Sequence, residues 1–450
     1  MFGEQLYLTI AVIGGDITNF TLFKNRNYAL LITSEATSLF GTLFLNIALS
    51  LYVLKLTGSA EQFATVLGVG VVPTIVLGPI SGALSDRFDR TKWIVALDIS
   101  RGLLCMAMFS YSFDWTFHLP LIYFTVFFLS ACDILFAPAF ISIMPLIVKP
   151  EQLVEANTFE RTMNETMKIF APFLGTLVYS LVGLGPVLLV DGLSFFISAV
   201  ALRSIVMEKR DPGTMRQIRF FQDVIGGFKV FLVDKRLTSV VGNAFLTNTF
   251  MYPFILLGFP YMIVTVLGGK GTEYGLVESI STIGSISAIS VVPLMKRFGV
   301  AKNIGIGILG MCVPVVLLLF LASPKFLAFL KGAHYLPVIF FGLVSFVLFL
   351  SFSFYVVFFA SFYQTTVPKE MYSRFVAGAL VMNAIGKLIG YKVFGYLFSL
   401  DNLLYAVIAL GIGMLLKLLV HVPFVRITNQ IEKQQQHTHT AYTGTTNDVH

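Results

Sequence analysis

Twelve long apolar runs, separated by short polar stretches, dominate this 450-residue chain. A helix needs about 20 predominantly apolar residues to cross a bilayer, and each run reaches or approaches that length. The runs lie at about residues 28–54, 62–84, 93–113, 119–142, 158–181, 186–205, 237–267, 274–295, 304–322, 334–360, 375–398 and 402–422. Charged residues make up only 12% of the chain, about half the share of a typical soluble domain. The pattern predicts an all-α integral membrane protein and excludes a soluble enzyme, a nucleic-acid-binding protein and a secreted disulfide scaffold.

Basic residues are distributed unevenly over the loops between these runs. With the N-terminus placed in the cytoplasm, the loops on that side hold 21 Lys and Arg residues, and the opposite loops hold four. Loops rich in Lys and Arg remain on the cytoplasmic side of a membrane. The sequence therefore predicts that both termini are cytoplasmic.

The chain is predicted to divide into two bundles of six helices, at residues 28–205 and 237–422. An N-terminal extension (1–27) carries Glu4 and Asp16 without a basic start, so it fits neither a signal peptide nor a span. The linker at 206–236 is basic and partly amphipathic, and it either lies on an anionic leaflet or is a solvated helix. Residues 423–450 are predicted to form a polar cytoplasmic tail.

The two predicted bundles resemble each other in sequence. Asp86–Lys92 follows the second run and Lys296–Lys302 follows the eighth, while Val148–Glu151 and Val367–Glu370 precede the fifth and eleventh. A weak parallel repeat of six helices is typical of secondary transporters whose halves rock around a midplane binding site.

The loop after the second run resembles the signature loop of the major facilitator superfamily. It reads Gly82-Ala-Leu-Ser-Asp86-Arg87-Phe-Asp89-Arg90-Thr-Lys, with Asp89 where many members have Gly. The resemblance implies that Gly82, Asp86, Arg87 and Arg90 latch the two halves on the cytoplasmic face when the site opens outward. A loop whose charges only set the topology is the alternative.

Other stretches resemble one branch of that superfamily, which contains macrolide-efflux-like and enterobactin-exporter-like transporters. They are Leu56–Ala60, Gly78-Pro79, Asp98-Ile-Ser-Arg101 and Asp191-Gly-Leu-Ser-Phe195. The resemblance implies a two-bundle major facilitator fold in a bacterial plasma membrane and leaves the substrate open.

Glu35 is the first candidate for proton coupling. Ser34, Ser38, Thr42 and Asn46 recur at four-residue spacing beside it, which predicts a polar stripe along one face of the first helix. A charge inside a membrane helix costs at least about 2.5 kcal/mol on insertion scales, so it needs a partner or a function. Glu35 either exchanges a proton for a cationic substrate or is a structural carboxylate paired with another helix.

Asp133, near the middle of the fourth run, is the second proton-coupling candidate. Asp98 and Arg101 are three residues apart and predict an internal ion pair. Similar spacing predicts local pairing near the cytoplasmic end of the fifth helix among Arg161, Glu165 and Lys168. Asp191 and Glu278 are placed near the outer ends of their helices, where they can reach interfacial water.

Polar residues in the eleventh run complete the candidate substrate cavity. Lys387 could offset Glu35 or Asp133 across the seam, or bind an anionic substrate. The cavity candidates are Ser38, Thr42, Asn46, Asn383 and Lys387.

These features predict a secondary active transporter that works by alternating access, with proton-coupled export of a drug-like or other small lipophilic molecule. A dedicated exporter of a native metabolite, such as a siderophore or lipid precursor, is the alternative, and a non-transporting receptor or enzyme is a remote one. The expected partners are the substrate, protons and the lipid bilayer, for a monomeric protein. We expect no nucleic acid, cofactor, metal or catalytic residue, because the chain has neither a GxxxxGK nor an HExxH motif and its three cysteines lie in apolar spans.

Overall fold

A computed structural model describes residues 22–85, 88–113, 116–205, 231, 234–332, 335–368, 371–400 and 402–445. Within these ranges, the side chains of residues 83, 154, 161, 296, 373, 429 and 432–445 are not described. The N-terminal extension before Leu22 and most of the 206–236 linker therefore lie outside the description.

The described residues form twelve long helices and no strand. They are α1 (Arg26–Thr57), α2 (Ala60–Ser85), α3 (Arg90–Tyr111), α4 (Leu119–Ile141), α5 (Leu153–Val182), α6 (Leu184–Arg203), α7 (Lys235–Val266), α8 (Gly271–Met295), α9 (Val300–Leu318), α10 (Leu336–Thr366), α11 (Tyr372–Ser399) and α12 (Leu404–Thr445). Each contains the greater part of one apolar run. The predicted all-α architecture is confirmed.

Eleven of these described helices are long and apolar enough to cross a bilayer. The remaining one, α5, has 30 residues, but five charged residues lie between Leu153 and Lys168. The rest of the helix, from Ile169 to Val182, carries none. The charge is therefore concentrated at one end of α5, and the helix has the length to span a bilayer.

The last helix continues well beyond its apolar part. The apolar part of α12 ends at Thr428, whereas the helix extends to Thr445. The residues in between include four Gln, a residue with good helix propensity. The polar tail predicted from residue 423 is therefore helical over most of its length.

Helix α7 departs from regular α geometry along its second half. It contains π-helical segments at Thr247–Met251, Phe254–Gly258 and Tyr261–Val266, with Pro253 and Pro260 between them. Proline lacks the N–H that a regular helix requires and clashes with the carbonyl four residues earlier, so the helix widens around it.

Two pairs of helices join the N-terminal half (α1–α6) to the C-terminal half (α7–α12). The pairs are α2 with α11 and α5 with α8, and α2 also contacts α7. Small residues allow close approach: a Cβ built on Gly275 of α8 would lie 2.3 Å from Thr176 Oγ1 of α5.

The core differs at the two ends of the bundle. We call the end where α1, α3 and α5 begin the basic end, because the Lys- and Arg-rich loops lie there, and the other the far end. Toward the far end, one apolar cluster takes side chains from both halves, such as Leu51, Phe63 and Phe259. At the basic end, Tyr28, Ile94 and their neighbours form a cluster within the N-terminal half alone. The two halves thus share an apolar core toward the far end, whereas the described cluster of Tyr28 and Ile94 at the basic end belongs to the N-terminal half alone.

Candidate transport site between the two halves

The polar stripe of α1 is distributed over two faces of the helix. Ser34 and Ser38 are buried, Thr42 is half-buried, and Asn46 is exposed. A residue advances by 100° around an α-helix, so a four-residue spacing drifts by 40° at each step. The prediction of a single stripe is therefore wrong. Glu35, Thr42 and Asn46 share one sector, whereas Ser34 and Ser38 belong to the packed face of α1.

Glu35 is half-buried and faces α5. The Asn164 side-chain amide donates a hydrogen bond to Glu35 Oε1 at 3.0 Å. The Glu160 carboxyl lies one turn earlier on α5 and also interacts with Glu35. Among the described side chains, no base forms an ion pair with Glu35. The site therefore places two carboxyl groups close together with one neutral donor.

Arg101 on α3 holds two carboxylates at once. One guanidinium nitrogen pairs with Asp98 Oδ1 on the same helix, and Nη1 lies 2.5 Å from Asp133 Oδ1 on α4. Asp98 accepts a further hydrogen bond from Ser198 on α6, at 2.6 Å. Asp133, one of the two proton-coupling candidates, is therefore part of an ion-pair network with Arg101.

The side chains of this network become more exposed from Asp98 to Asp133. The Asp98 side chain is 0% exposed and the Arg101 side chain 3%, whereas that of Asp133 is 43% exposed. The guanidinium also lies over the rings of Phe136 and Phe195, with centroid distances of 4.8 and 4.4 Å. Arg suits such a position, because its planar fork can bind two carboxylate groups and stack on aromatic rings. Asp133 is thus the accessible end of a buried network.

Asp191 lies in the interior of the N-terminal half and does not reach interfacial water. It is fully buried and accepts a hydrogen bond from the Cys105 thiol at 3.4 Å. A Cβ built on Gly41 of α1 would lie 2.4 Å from its Oδ1, so α1 and α6 are in close contact here. The prediction of a solvent-reaching carboxylate is wrong for Asp191. Glu278 on α8 is half-buried beside the hydroxyl of Tyr274.

The charged residues of α5 pair locally where they are described. Lys168 Nζ lies 2.7 Å from Glu165 Oε1, and both side chains are partly exposed. The third member of the predicted cluster, Arg161, has a side chain outside the described part of the structure. An exposed pair of this kind contributes about 0.3–0.5 kcal/mol.

In the C-terminal half, Lys387 of α11 is directed toward α7. Its Nζ lies 5.3 Å from the centre of the Tyr252 ring. No described carboxylate pairs with it, so the structure does not show it offsetting Glu35 or Asp133. Asn383, one turn earlier, has a buried Oδ1 without a described hydrogen-bond donor. The site thus offers an ammonium over an aromatic ring and an unused amide oxygen.

The predicted latch is only partly described, because Asp86 and Arg87 lie outside the described residues. Arg90 Nη1 lies 3.4 Å from the Ser142 carbonyl oxygen in its own half. A Cβ on Gly82 would have no neighbour within 4 Å. Asp89, which stands where many similar loops have Gly, caps α3 by accepting a hydrogen bond from the Lys92 N–H.

Two residues of the polar interior were not among the predicted site residues. Asn164 belongs to an Asn-x-Thr triplet, and its partnership with Glu35 depends on the packing of α5 on α1. Lys417 lies in the middle of the last apolar run and is fully buried. A lone lysine inside such a run is a signal for function that sequence reasoning can use.

Comparison with known proteins identifies the family and relates the chain to curated transporters. The sequence model of the Major Facilitator Superfamily (MFS) matches residues 31–391. The uncharacterized MFS-type transporter YkuC of Bacillus subtilis is 28% identical over 264 residues, which are 57% of this chain and 59% of YkuC. Macrolide efflux protein A of Streptococcus pyogenes is 24% identical over 247 residues, 54% of this chain and 60% of that protein. The matches thus span about three-fifths of the length of these relatives.

Solved transporter structures share the fold. A bacterial homologue of the iron transporter ferroportin, in an inward-facing state, superposes with a TM-score of 0.68 at 16% identity, covering 89% of this chain and 98% of that one. The nucleoside transporter NupG superposes with a TM-score of 0.66 at 13% identity, covering 89% and 99%. From the family match over residues 31–391 and the twelve described helices, we conclude that the chain is a multi-pass membrane protein of the Major Facilitator Superfamily.

Proposed function

We propose that the protein exports a small lipophilic molecule in exchange for protons, with its basic end and both termini in the cytoplasm of a bacterial cell. The observation that carries this proposal is the Glu35 site. A half-buried carboxyl beside a second carboxyl, without a described basic partner, is suited to bind and release a proton during transport. The likeness to macrolide efflux protein A supports export as the direction.

The site also favours an apolar substrate with few polar groups. Polar contacts are available from Thr42, Asn46 and Asn383, and the Tyr252 ring offers an aromatic surface. Such a mixture is typical of pockets for drug-sized ligands.

In the proposed cycle, the open basic end admits the substrate between the halves. Substrate binding and closure of the basic end bring the latch (Gly82, Asp86, Arg87 and Arg90) against the C-terminal half. The substrate leaves at the far end, and a proton binds to Glu35. A second proton, bound by Asp133, would weaken the ion pair between Asp133 and Arg101. In this way the network of Arg101, which joins α3, α4 and α6, would take part in the same cycle.

The experiment is transport by inside-out vesicles under an imposed pH gradient, with erythromycin and tetraphenylphosphonium as probes. We expect Glu35→Gln to lower gradient-driven transport by about 100-fold, the lower range for loss of a group that transfers protons. Asp133→Asn should also lower it, and Glu151→Gln, an exposed carboxylate outside the site, serves as the matched control. Unchanged proton-driven transport in both site variants would exclude these residues as proton carriers.

A dedicated exporter of an anionic metabolite is the second candidate function. The observation in its favour is Lys387, an ammonium in the site without a described carboxylate partner. A siderophore or lipid precursor with an acidic group could bind there. Competition separates the candidates, because a dedicated exporter should bind an acidic compound and ignore unrelated lipophilic cations.

A further inference from the structure

Lys417 is a fully buried lysine in the apolar middle of α12. Its side chain is enclosed by three other helices of the C-terminal half: Nζ donates a hydrogen bond to Thr247 Oγ1 of α7 at 2.6 Å. It also lies 4.0 Å from Met311 Sδ of α9 and 4.7 Å from the centre of the Tyr355 ring of α10. Residue exposure is 0%.

The surroundings of Lys417 differ from those of Arg101. Arg101 pairs with two carboxylates, whereas no described carboxylate lies within ion-pair distance of Lys417. The titratable groups that face it are Cys312 from α9, Tyr355 from α10 and His421 from α12 itself. Helix α7 contributes the Thr247 hydroxyl, which is not a titratable group.

An ammonium in this position is supported only by a hydroxyl, a thioether and an aromatic face. These interactions recover part of the hydration that a charged amine loses on burial, but they are weaker than an ion pair. A neutral amine can keep the hydrogen bond to Thr247, because it retains two N–H groups. The pocket can therefore hold either protonation state of the same side chain.

Polar groups lead from this pocket toward both the basic end and α7. His421 lies one turn from Lys417 along α12, and its Nε2 is 2.9 Å from the Ala301 carbonyl oxygen, near the start of α9. In the other direction, Thr247 begins the first π-helical segment of α7, beside the buried Asn243. The Thr247 hydroxyl also donates to the Asn243 carbonyl oxygen at 2.9 Å.

We propose that Lys417 is a proton-binding site of the C-terminal half, separate from Glu35. The neutral Nζ accepts a proton delivered from the basic end past His421 and returns it by the reverse transfer, and no other bond changes. The protonation state acts on Thr247, at the point where α7 leaves regular α geometry. Proton binding stands by itself, and only its effect on transport depends on the proposed function.

The first test measures proton binding without any substrate. The unfolding midpoint of the full-length protein in detergent is followed against pH for wild type and Lys417→Met. We expect the difference between them to change with pH, since the two proteins then differ in bound protons. Lys392→Met, which also replaces a lysine by methionine but at an exposed position of α11, serves as the matched control.

Two further variants keep this test decisive if Lys417→Met does not fold. Thr247→Val removes the hydrogen-bond partner and should move the pH-dependent step along the pH axis. Tyr355→Phe keeps the ring beneath Nζ and removes only the hydroxyl, so it should leave the step in place. The same pH dependence in wild type, Lys417→Met and Thr247→Val would overturn the proposal.

The second test measures transport with the erythromycin and tetraphenylphosphonium probes. Lys417→Met should lower proton-driven transport about tenfold, while exchange of labelled for unlabelled probe without a gradient persists. If wild type moves neither probe but the pH-dependent step is present, the proposed function fails and the proton site stands. If wild type moves a probe and Lys417→Met drives it equally well, the role of Lys417 in coupling is refuted.

Discussion

Replacing Arg101 by Met is expected to destabilise the N-terminal half strongly. The substitution leaves Asp98 fully buried, with the Ser198 hydroxyl as its remaining described side-chain donor. Breaking a buried ion pair by removing one partner costs about 3–5 kcal/mol, because the other charge stays buried without compensation. We expect a loss of folding free energy in that range.

Two companion variants show whether the cost arises from the buried carboxylate. Asp98→Asn combined with Arg101→Met removes both charges, and such replacements are often neutral or nearly so. The double variant should therefore be more stable than Arg101→Met alone. Asp133→Asn should cost only about 0.2–1 kcal/mol, the range for exposed pairs, because the Asp133 side chain is 43% exposed.

The assay is reversible unfolding of the purified protein in mixed detergent micelles, followed by circular dichroism. The expected order of stability is wild type, then Asp133→Asn, then the double variant, with Arg101→Met the least stable. The reasoning would be refuted if Arg101→Met were as stable as wild type, or if the second substitution at Asp98 gave no recovery.

Three other outcomes follow from the packing and the loops. Gly390→Ala should lower the free energy of unfolding by about 1–3 kcal/mol, because its methyl group would lie 2.1 Å from a backbone carbonyl oxygen of α7. Gly411→Ala is the control in the same unfolding assay and should be tolerated, because its methyl group would make only an ordinary contact at 3.6 Å. Gly275→Val should separate α5 from α8 at Thr176 and favour opening of the far end, seen as a shorter distance between spin labels placed across the basic end. Asp234 caps α7. Partial burial would raise its pKa, but hydrogen bonds from the Arg236 side chain and backbone N–H, together with the charge of that guanidinium, outweigh this and lower the pKa. Asp234→Ala should therefore lower the free energy of unfolding by about 1 kcal/mol at neutral pH. This loss should shrink as the pH falls through the lowered pKa, because only the ionised carboxylate is stabilised. A loss that stays constant down to pH 2 would contradict this.

The positions of the helices could be predicted closely from the sequence because hydropathy determines them directly. The first run predicted a helix at 28–54, and α1 is Arg26–Thr57. The third predicted 93–113, and α3 is Arg90–Tyr111. The largest differences are beyond Thr428, where a polar helix has no apolar pattern, at Thr366, where α10 ends six residues past the predicted 360, and at Leu153, where charged residues hid the start of α5.

Contacts within one helix could be predicted, and contacts between helices could not. The three-residue spacing of Asp98 and Arg101 fixes their proximity, since such residues lie on the same face of a helix. Asp133 joins the pair only because α4 packs beside α3 at a particular register. That register depends on side-chain packing along the whole interface, which hydropathy and spacing do not contain.

Four-residue spacing was a misleading guide to the face of α1. Over the twelve residues from Ser34 to Asn46, the drift amounts to about 120°, which is enough to pass from the packed face to an exposed one. Lys417 shows the opposite case, because its position in an apolar run already marks it as exceptional. Its lack of a described carboxylate partner is visible only in the structure.

The most direct test of proton-coupled export is a simultaneous record of internal pH and erythromycin in proteoliposomes without an imposed pH gradient. An erythromycin gradient alone should drive protons in the opposite direction through the wild-type protein, and Glu35→Gln should abolish this proton movement. Erythromycin movement by wild type without any accompanying proton movement would contradict the account.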